Sequence, residues 1–248
     1  MKGDPTKLPA KTAWRLEKGT GGIWDRLRAI ARRKLAGSAA LGWACLWLAA
    51  CSSVDHRAPA MPGIRMALLP PNVHGRLIAR TMRPQYITIH STENVGATAA
   101  QHARYLLIKG KRSKNNPRFG RSGWVTWHFT VDDREVVEHL LPTEQGDHAD
   151  YGGVGDRLSI GIEICEFSSP ARQAAAIDRA ARLTAFLIRR YNIPVRNIVP
   201  HMHWPRWDFR YGKPCPRILL QRDRSAPGGW RLGTKWNGFI ALVKRYLR

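Results

Sequence analysis

The run Leu158-Ser159-Ile160-Gly161-Ile162-Glu163-Ile164-Cys165 constrains the chain more than any other stretch. Its isoleucines predict a strand, and Glu163 stands between two of them. A carboxylate in so apolar a strand is costly to bury unless it is paired or has chemistry to perform. A functional role for Glu163 is the stronger reading. Gly161, two residues earlier, leaves room near the backbone. Cys165 shares the face of Glu163 and reads as a small buried side chain.

A second β-branched run, Tyr86-Ile87-Thr88-Ile89, lies between Pro84 and Thr92, with His90 at its C-terminal end. Strand ends are where residues of a sheet reach a cleft, though a structural, hydrogen-bonded histidine fits that position too. A helical pattern opens at Asn94, with Ala99, Ala103, Leu106 and Leu107 on one face. It stops before the basic run Lys109 to Arg118, a loop that is either a solvated face or a contact to an anionic polymer. Val125 to Val131 alternates at period two, Asp132-Asp133 turns the chain, and Glu135 to Leu140 returns as a hairpin partner. His128 shares the face of Thr126 and Thr130, which points it into a cleft or to the surface. Gly146 to Asp156 is glycine-rich and carries His148, but a strand follows it and no phosphate-loop motif is present.

The clearest helix is Arg172 to Tyr191, where Ala176, Ile177, Ala180, Leu183, Leu187 and Tyr191 form a stripe opposite the arginines. Asn197 to Val199 is a brief strand, Arg217 to Leu220 a helical turn, and Trp236 to Tyr246 a closing amphipathic helix. The brief strand delivers His201 into a loop that ends at Lys213-Pro214-Cys215-Pro216, so an imidazole and a thiol lie fourteen positions apart. Zinc takes nitrogen and sulfur ligands of this kind, and a catalytic zinc uses three and leaves a position for water. The missing ligand and the base for that water have upstream candidates in His90 and Glu163.

The N-terminal part has a different character. Residues 1–50 carry ten Lys/Arg against three Asp/Glu, a net +7, which leaves +16 of the chain's +23 for the remainder. Such an excess attracts polyanions without specifying one. Leu35 to Ala50 is a run of sixteen uncharged residues, short of the roughly 20 needed to span a bilayer. A basic segment followed by a short apolar core reads as a secretion signal. Residues 52–83 contain Pro59, Pro62, Pro70 and Pro71, have no sustained period, and read as a tether. With Cys45 and Cys51 in or beside the leader, only Cys165 and Cys215 remain, too few for a disulfide scaffold. No helix-turn-helix or zinc-finger spacing is present, and with an exported leader no nucleic-acid partner is expected.

Five segments in order carry a family resemblance: Tyr86 to Thr92, Trp127 to Asp133, His148-Ala149-Asp150, Ser159 to Ile164, and His201 to Trp204 with Lys213 to Pro216. Together they resemble the zinc-dependent N-acetylmuramoyl-L-alanine amidases of the phage-lysozyme type. The resemblance covers roughly residues 84–221 and implies an α/β fold with a central mixed β-sheet flanked by α-helices; the single catalytic domain is expected over 84–248. It implies His90, His201 and Cys215 as zinc ligands, His201 being preferred to His203 because Trp204 follows at the family's spacing. Glu163 would be the acid/base and Lys213 a second catalytic group, with His128 and His148 lining the substrate cleft. Where some phage members carry a tyrosine before the histidine, Trp127 stands here, which leaves the proton work to Glu163. The substrate implied is peptidoglycan or its muropeptides; a non-catalytic peptidoglycan-recognition module is the alternative, and the presence of Cys215 weighs against it. Leu48-Ala49-Ala50-Cys51 resembles a lipobox, with residues 1–51 as leader, Cys51 as the lipidated residue, and a lipid anchor to the outer membrane facing the periplasm. The alternative is a retained transmembrane anchor.

Overall fold

Alternation along two long strands gives the central sheet two unlike faces. The computed structural model describes residues 63–248 apart from 73–75, 77, 113–123 and 207. The leader, the lipobox and Cys51 lie outside the described residues. In chain order the strands are β1 (Ile64–Met66), β2 (Tyr86–Val95), β3 (Lys111–Arg112), β4 (Trp124–Val125), β5 (Phe129–Val131), β6 (Val136–Glu138), β7 (Ser159–Glu166), β8 (Ile198–Pro200), β9 (Gln221–Arg222) and β10 (Trp230–Arg231). The helices are α1 (Ala99–Ile108), α2 (Val154–Leu158), α3 (Pro170–Tyr191) and α4 (Thr234–Tyr246).

Six strands form the main sheet in the order β1-β6-β5-β7-β2-β8. The β5–β6 hairpin is antiparallel and the other pairings are parallel, so the sheet is mixed and flanked by helices. The register sets His90 beside Glu163, and Glu163 beside Thr130 on its other flank. Since successive side chains point to opposite faces, His90, Gly161 and Glu163 share one face while Ile89, Ile162 and Ile164 share the other.

The second face is the core. Ile87, Ile89, Phe129, Val131, Ile160, Ile162 and Ile164 pack in one cluster with Ala176, Ala180, Leu183 and Leu187 of α3 and with Trp236, Phe239 and Val243 of α4. Each buried Leu or Ile contributes about 1.5–3 kcal/mol. Helix α3 forms where its stripe predicts. Ser169 caps it by accepting the Arg172 N–H, Pro170 occupies the first turn, and Asn192 ends it in the left-handed conformation at φ 53°.

Several boundaries differ from the sequence expectation. Strand β2 runs on to Val95, and α1 starts only at Ala99, after a capping box between Thr98 and Gln101. His102 takes the inward place expected of Leu107, which is 51% exposed; the buried set 99, 102, 103 and 106 follows the helical period more closely. The described part of the 52–83 stretch is also not merely a tether. Ile64–Met66 pairs with β6 and Leu69 and Met82 are buried; a three-residue strand is too short to show a period. No helix among the described residues is long and apolar enough to cross a membrane.

Candidate metal centre

The ends of β2, β7 and β8 meet at a cleft of about 530 Å³, lined by His90, Glu163, His201 and Lys213 among others. That is an ordinary volume for a small-molecule site. His90 reaches it from β2. His201 enters from a single 3-10 turn, His201–His203, directly after β8. Cys215 comes from the following loop, which the Met202 N–H ties to that turn by donating to the Cys215 carbonyl at 3.2 Å.

Three residues far apart in sequence are thus brought together: one ligand atom each from His90, His201 and Cys215 lies within 4.8 Å of the others, and all three residues are buried. His203 stays outside the cluster and is exposed. The imidazoles of His90 and His201 stand 4.4 Å apart at 61°. Burial holds both well below the ordinary histidine range, with neighbouring cationic groups adding to the effect, so both are neutral bases at pH 7. The Cys215 thiol is pushed up by burial, with Glu163 adding to the effect; a coordinated divalent ion would reverse that and hold it as thiolate.

The hydrogen bonds decide which nitrogen of each ring faces the cluster. His201 Nε2 lies 3.0 Å from the Ala149 carbonyl, which only accepts, and 3.4 Å from Arg206 Nη1, which only donates; the shorter contact assigns the proton to Nε2. Nδ1 is then a lone pair, and it is buried without a hydrogen-bond partner. An orphaned buried acceptor of this kind beside a thiol and a second imidazole fits a soft or borderline cation such as zinc. Cys215 Sγ accepts the Ser91 N–H at 3.4 Å, which steadies the sulfur.

Glu163 Oε1 lies 3.8 Å from His90 Nδ1, too far for a hydrogen bond and near enough to act on a small molecule held between them. Lys213 Nζ pairs with Glu93 Oε2 at 3.0 Å. Burial works against the lysine's charge, yet Cys215, Glu93 and Glu163 together keep it above the usual lysine range. It is an ammonium at any physiological pH.

The two remaining expectations divide. His148 lines the cleft. His128 does not: it is 0% exposed, donates from Nε2 to the Glu144 carbonyl at 2.8 Å and accepts the Gly161 N–H on Nδ1 at 2.9 Å. Period-two alternation ended too early to see this, because residues 126–131 are buried on both faces. Two groups escaped sequence reading. Asp156 is fully buried and its carboxylate accepts the N–H groups of His148 and Ala149 at 2.8 and 2.7 Å, which shapes the glycine-rich loop. Arg206 lines the cleft with its guanidinium on Asp208 at 2.9 Å and over the Tyr151 ring at 4.1 Å. An Asp at the exit of a glycine-rich loop is a readable signal for the first; nothing local announces the second.

A mixed sheet that brings two buried imidazoles, a thiol and a carboxylate together at its strand ends defines an α/β fold with a candidate metal site. The comparison with known families is more specific: residues 80–218 match the Amidase_2 family, N-acetylmuramoyl-L-alanine amidase, and the chain belongs to that family. Two similar proteins are N-acetylmuramoyl-L-alanine amidases XlyA and CwlH of Bacillus subtilis (strain 168). They are 46% and 38% identical over 151 and 163 residues, which is 60% and 64% of this chain. The chain spans only about half the length of these relatives, 44% and 52% respectively. Among solved structures, the catalytic domain of XlyA aligns over 73% of this chain and 99% of its own, with 37% identity and a TM-score of 0.54. The catalytic domain of PlyG aligns over 74% of this chain and 94% of its own, with 29% identity and a TM-score of 0.56.

Proposed function

We propose that the chain is a zinc-dependent N-acetylmuramoyl-L-alanine amidase, which hydrolyses the amide between the lactyl group of N-acetylmuramic acid and L-alanine in peptidoglycan or its muropeptides. The observation that carries this reading is the convergence of His90, His201 and Cys215 within 4.8 Å, with the Glu163 carboxylate alongside at 3.8 Å from His90. Family membership and the named relatives support the choice of bond.

Zinc at these three ligands would act as a Lewis acid, lowering the pKa of bound water from about 15.7 towards about 7. The chain supplies the rest. Glu163 takes the proton from the attacking water and returns it to the departing L-alanine nitrogen, so that the amine leaves neutral. The Lys213 ammonium faces the negative charge that develops on the acyl oxygen, and a well-placed donor there is worth roughly 3 kcal/mol. Cys215, His90 and His201 would hold the metal, and all three are buried.

The test is release of free stem peptide from purified peptidoglycan and from muropeptides, with and without a chelator, beside Cys215→Ser. Release abolished by either treatment supports the reading, and release untouched by both sinks it. Binding to peptidoglycan without any release would favour the recognition module. We further propose export and lipidation at Cys51, on the strength of the Leu48–Cys51 motif after an apolar run. Outer-membrane fractionation of the native chain against Cys51→Ala checks this, since the variant should no longer partition with lipid.

A further inference from the structure

We propose that His148 is a positioning residue that fixes the tautomer and ring orientation of His90, and that Gly161 is a glycine because His148 occupies the space its side chain would fill. This rests on the reading of His90 as a ligand, but part of its test does not.

The chain of hydrogen bonds has one consistent direction. His148 Nε2 lies 3.1 Å from the Ser159 carbonyl, a group that only accepts, so Nε2 must carry the hydrogen. His148 Nδ1 is then a lone pair, and it lies 3.1 Å from His90 Nε2. His90 must therefore be the Nε2–H tautomer, which leaves its Nδ1 lone pair on the side of Glu163. A main-chain carbonyl at the start of β7 thus sets, through one imidazole, which nitrogen of another faces the cluster. Both ring nitrogens of His148 are engaged in this relay, so the contact with substrate expected from its place in the cleft gives way to a role behind His90.

The ring is held from several sides. A Cβ at Gly161 would come within 2.9 Å of three atoms of the His148 ring, closer than carbon atoms normally approach. The His90 and His148 rings meet edge-on at 5.1 Å and 81°, and His128 closes the other side at 5.6 Å and 82°. Asp156 clamps the N–H groups of His148 and Ala149 at 2.8 and 2.7 Å. The Ala149 carbonyl in turn orients His201. One dipeptide, His148-Ala149, therefore serves both imidazoles, the first through its side chain and the second through its backbone. Hydrogen bonds behind a metal-ligating histidine of this kind usually account for 10- to 100-fold in metal affinity.

The experiment uses the purified full chain as wild type, His148→Ala, His148→Gln and Gly161→Ala. In the zinc-free proteins, nitrogen-15 NMR of the imidazoles reads the His90 tautomer directly. Separately, competition with a chromophoric chelator gives zinc affinity. We expect His90 to be Nε2–H in the wild type and to lose that preference in His148→Ala, with zinc bound 10- to 100-fold more weakly. His148→Gln retains an acceptor oxygen and should recover much of both; Gly161→Ala should mimic His148→Ala while keeping the imidazole. A His90 tautomer unchanged in His148→Ala, or a folded glutamine variant no better than alanine, overturns the proposal. Failure of the wild type to bind zinc would instead defeat the ligand reading, while the tautomer measurement would still decide the role of His148.

Discussion

The two faces of the β2–β7 pair come from the same two strands and have opposite characters. One face gives Ile87, Ile89, Ile160, Ile162 and Ile164 to a core closed by α3 and α4. The other gives His90 and Glu163 to a cleft whose histidines are just as buried, with Gly161 against the His148 ring. On the first face any apolar side chain of the right volume serves. On the second the imidazoles are oriented by specific hydrogen bonds, His201 Nδ1 is left without one, and a glycine is fixed by the ring lying against it. Stability resides mainly on one side and chemistry on the other, so substitutions on the two should separate cleanly.

The largest effect is expected at Cys215. Cys215→Ser should lower amide hydrolysis to background and lose zinc, while far-ultraviolet circular dichroism stays that of the wild type; activity measured on muropeptides checks it. Glu163→Gln comes next. It should reduce kcat by about 10²- to 10⁴-fold, the usual contribution of a general acid–base group, with zinc content unchanged. Parallel loss of zinc would mean that Glu163 holds the metal and not the proton. On the helix-covered face, Leu183→Ala should cost about 2–5 kcal/mol of unfolding free energy and leave kcat within about twofold. Urea melts beside rate measurements test that split, and a large fall in kcat would break the comparison.

The distinction between the faces was only partly legible in the sequence. Alternation around Glu163 marked β7 as a strand with one odd residue, and the stripe on α3 marked the partner it packs against. His90, His201 and Cys215 could be suspected from residue type and position, yet their convergence depends on parallel pairing of β2 with β7 and β8. No local pattern encodes that pairing; only the resemblance of five ordered segments points to it. His128 shows where alternation misleads. In a stretch buried on both faces, a residue opposite the apolar side is no nearer to solvent. His148 shows the reverse, since a loop residue without any period turns out to be held by five neighbours of fixed geometry: Ser159, His90, Gly161, His128 and Asp156.

Smaller effects follow from protonation on the polar side. His128 is held down to about 3 by burial, then by His148, and His139 to about 3 by burial, then by His102. Their folded values lie below the unfolded 6.5, so the unfolded chain takes up protons that the folded chain refuses. Stability is full above pH 6.5 and falls as pH drops towards 3, by at most about 1.4 kcal/mol per pH unit for each histidine. His128→Gln, which keeps a donor and an acceptor, should reduce the slope of the urea midpoint between pH 7 and 5. Glu138 has the opposite sign. Burial and then Glu144 raise it to about 7 from 4.5, so its cost is absent below pH 4.5, grows as pH rises towards 7 and is complete above that. Glu138→Gln should raise the melting temperature at pH 8 and leave it unchanged at pH 4.

The most direct measurement is zinc stoichiometry and affinity of the purified chain, wild type against Cys215→Ser, with stem-peptide release followed on the same samples. One tightly bound zinc per chain, lost together with release in the serine variant, is the expected result. A wild type that cleaves the amide with no bound metal, or a serine variant that retains both zinc and activity, would contradict a centre built from His90, His201 and Cys215.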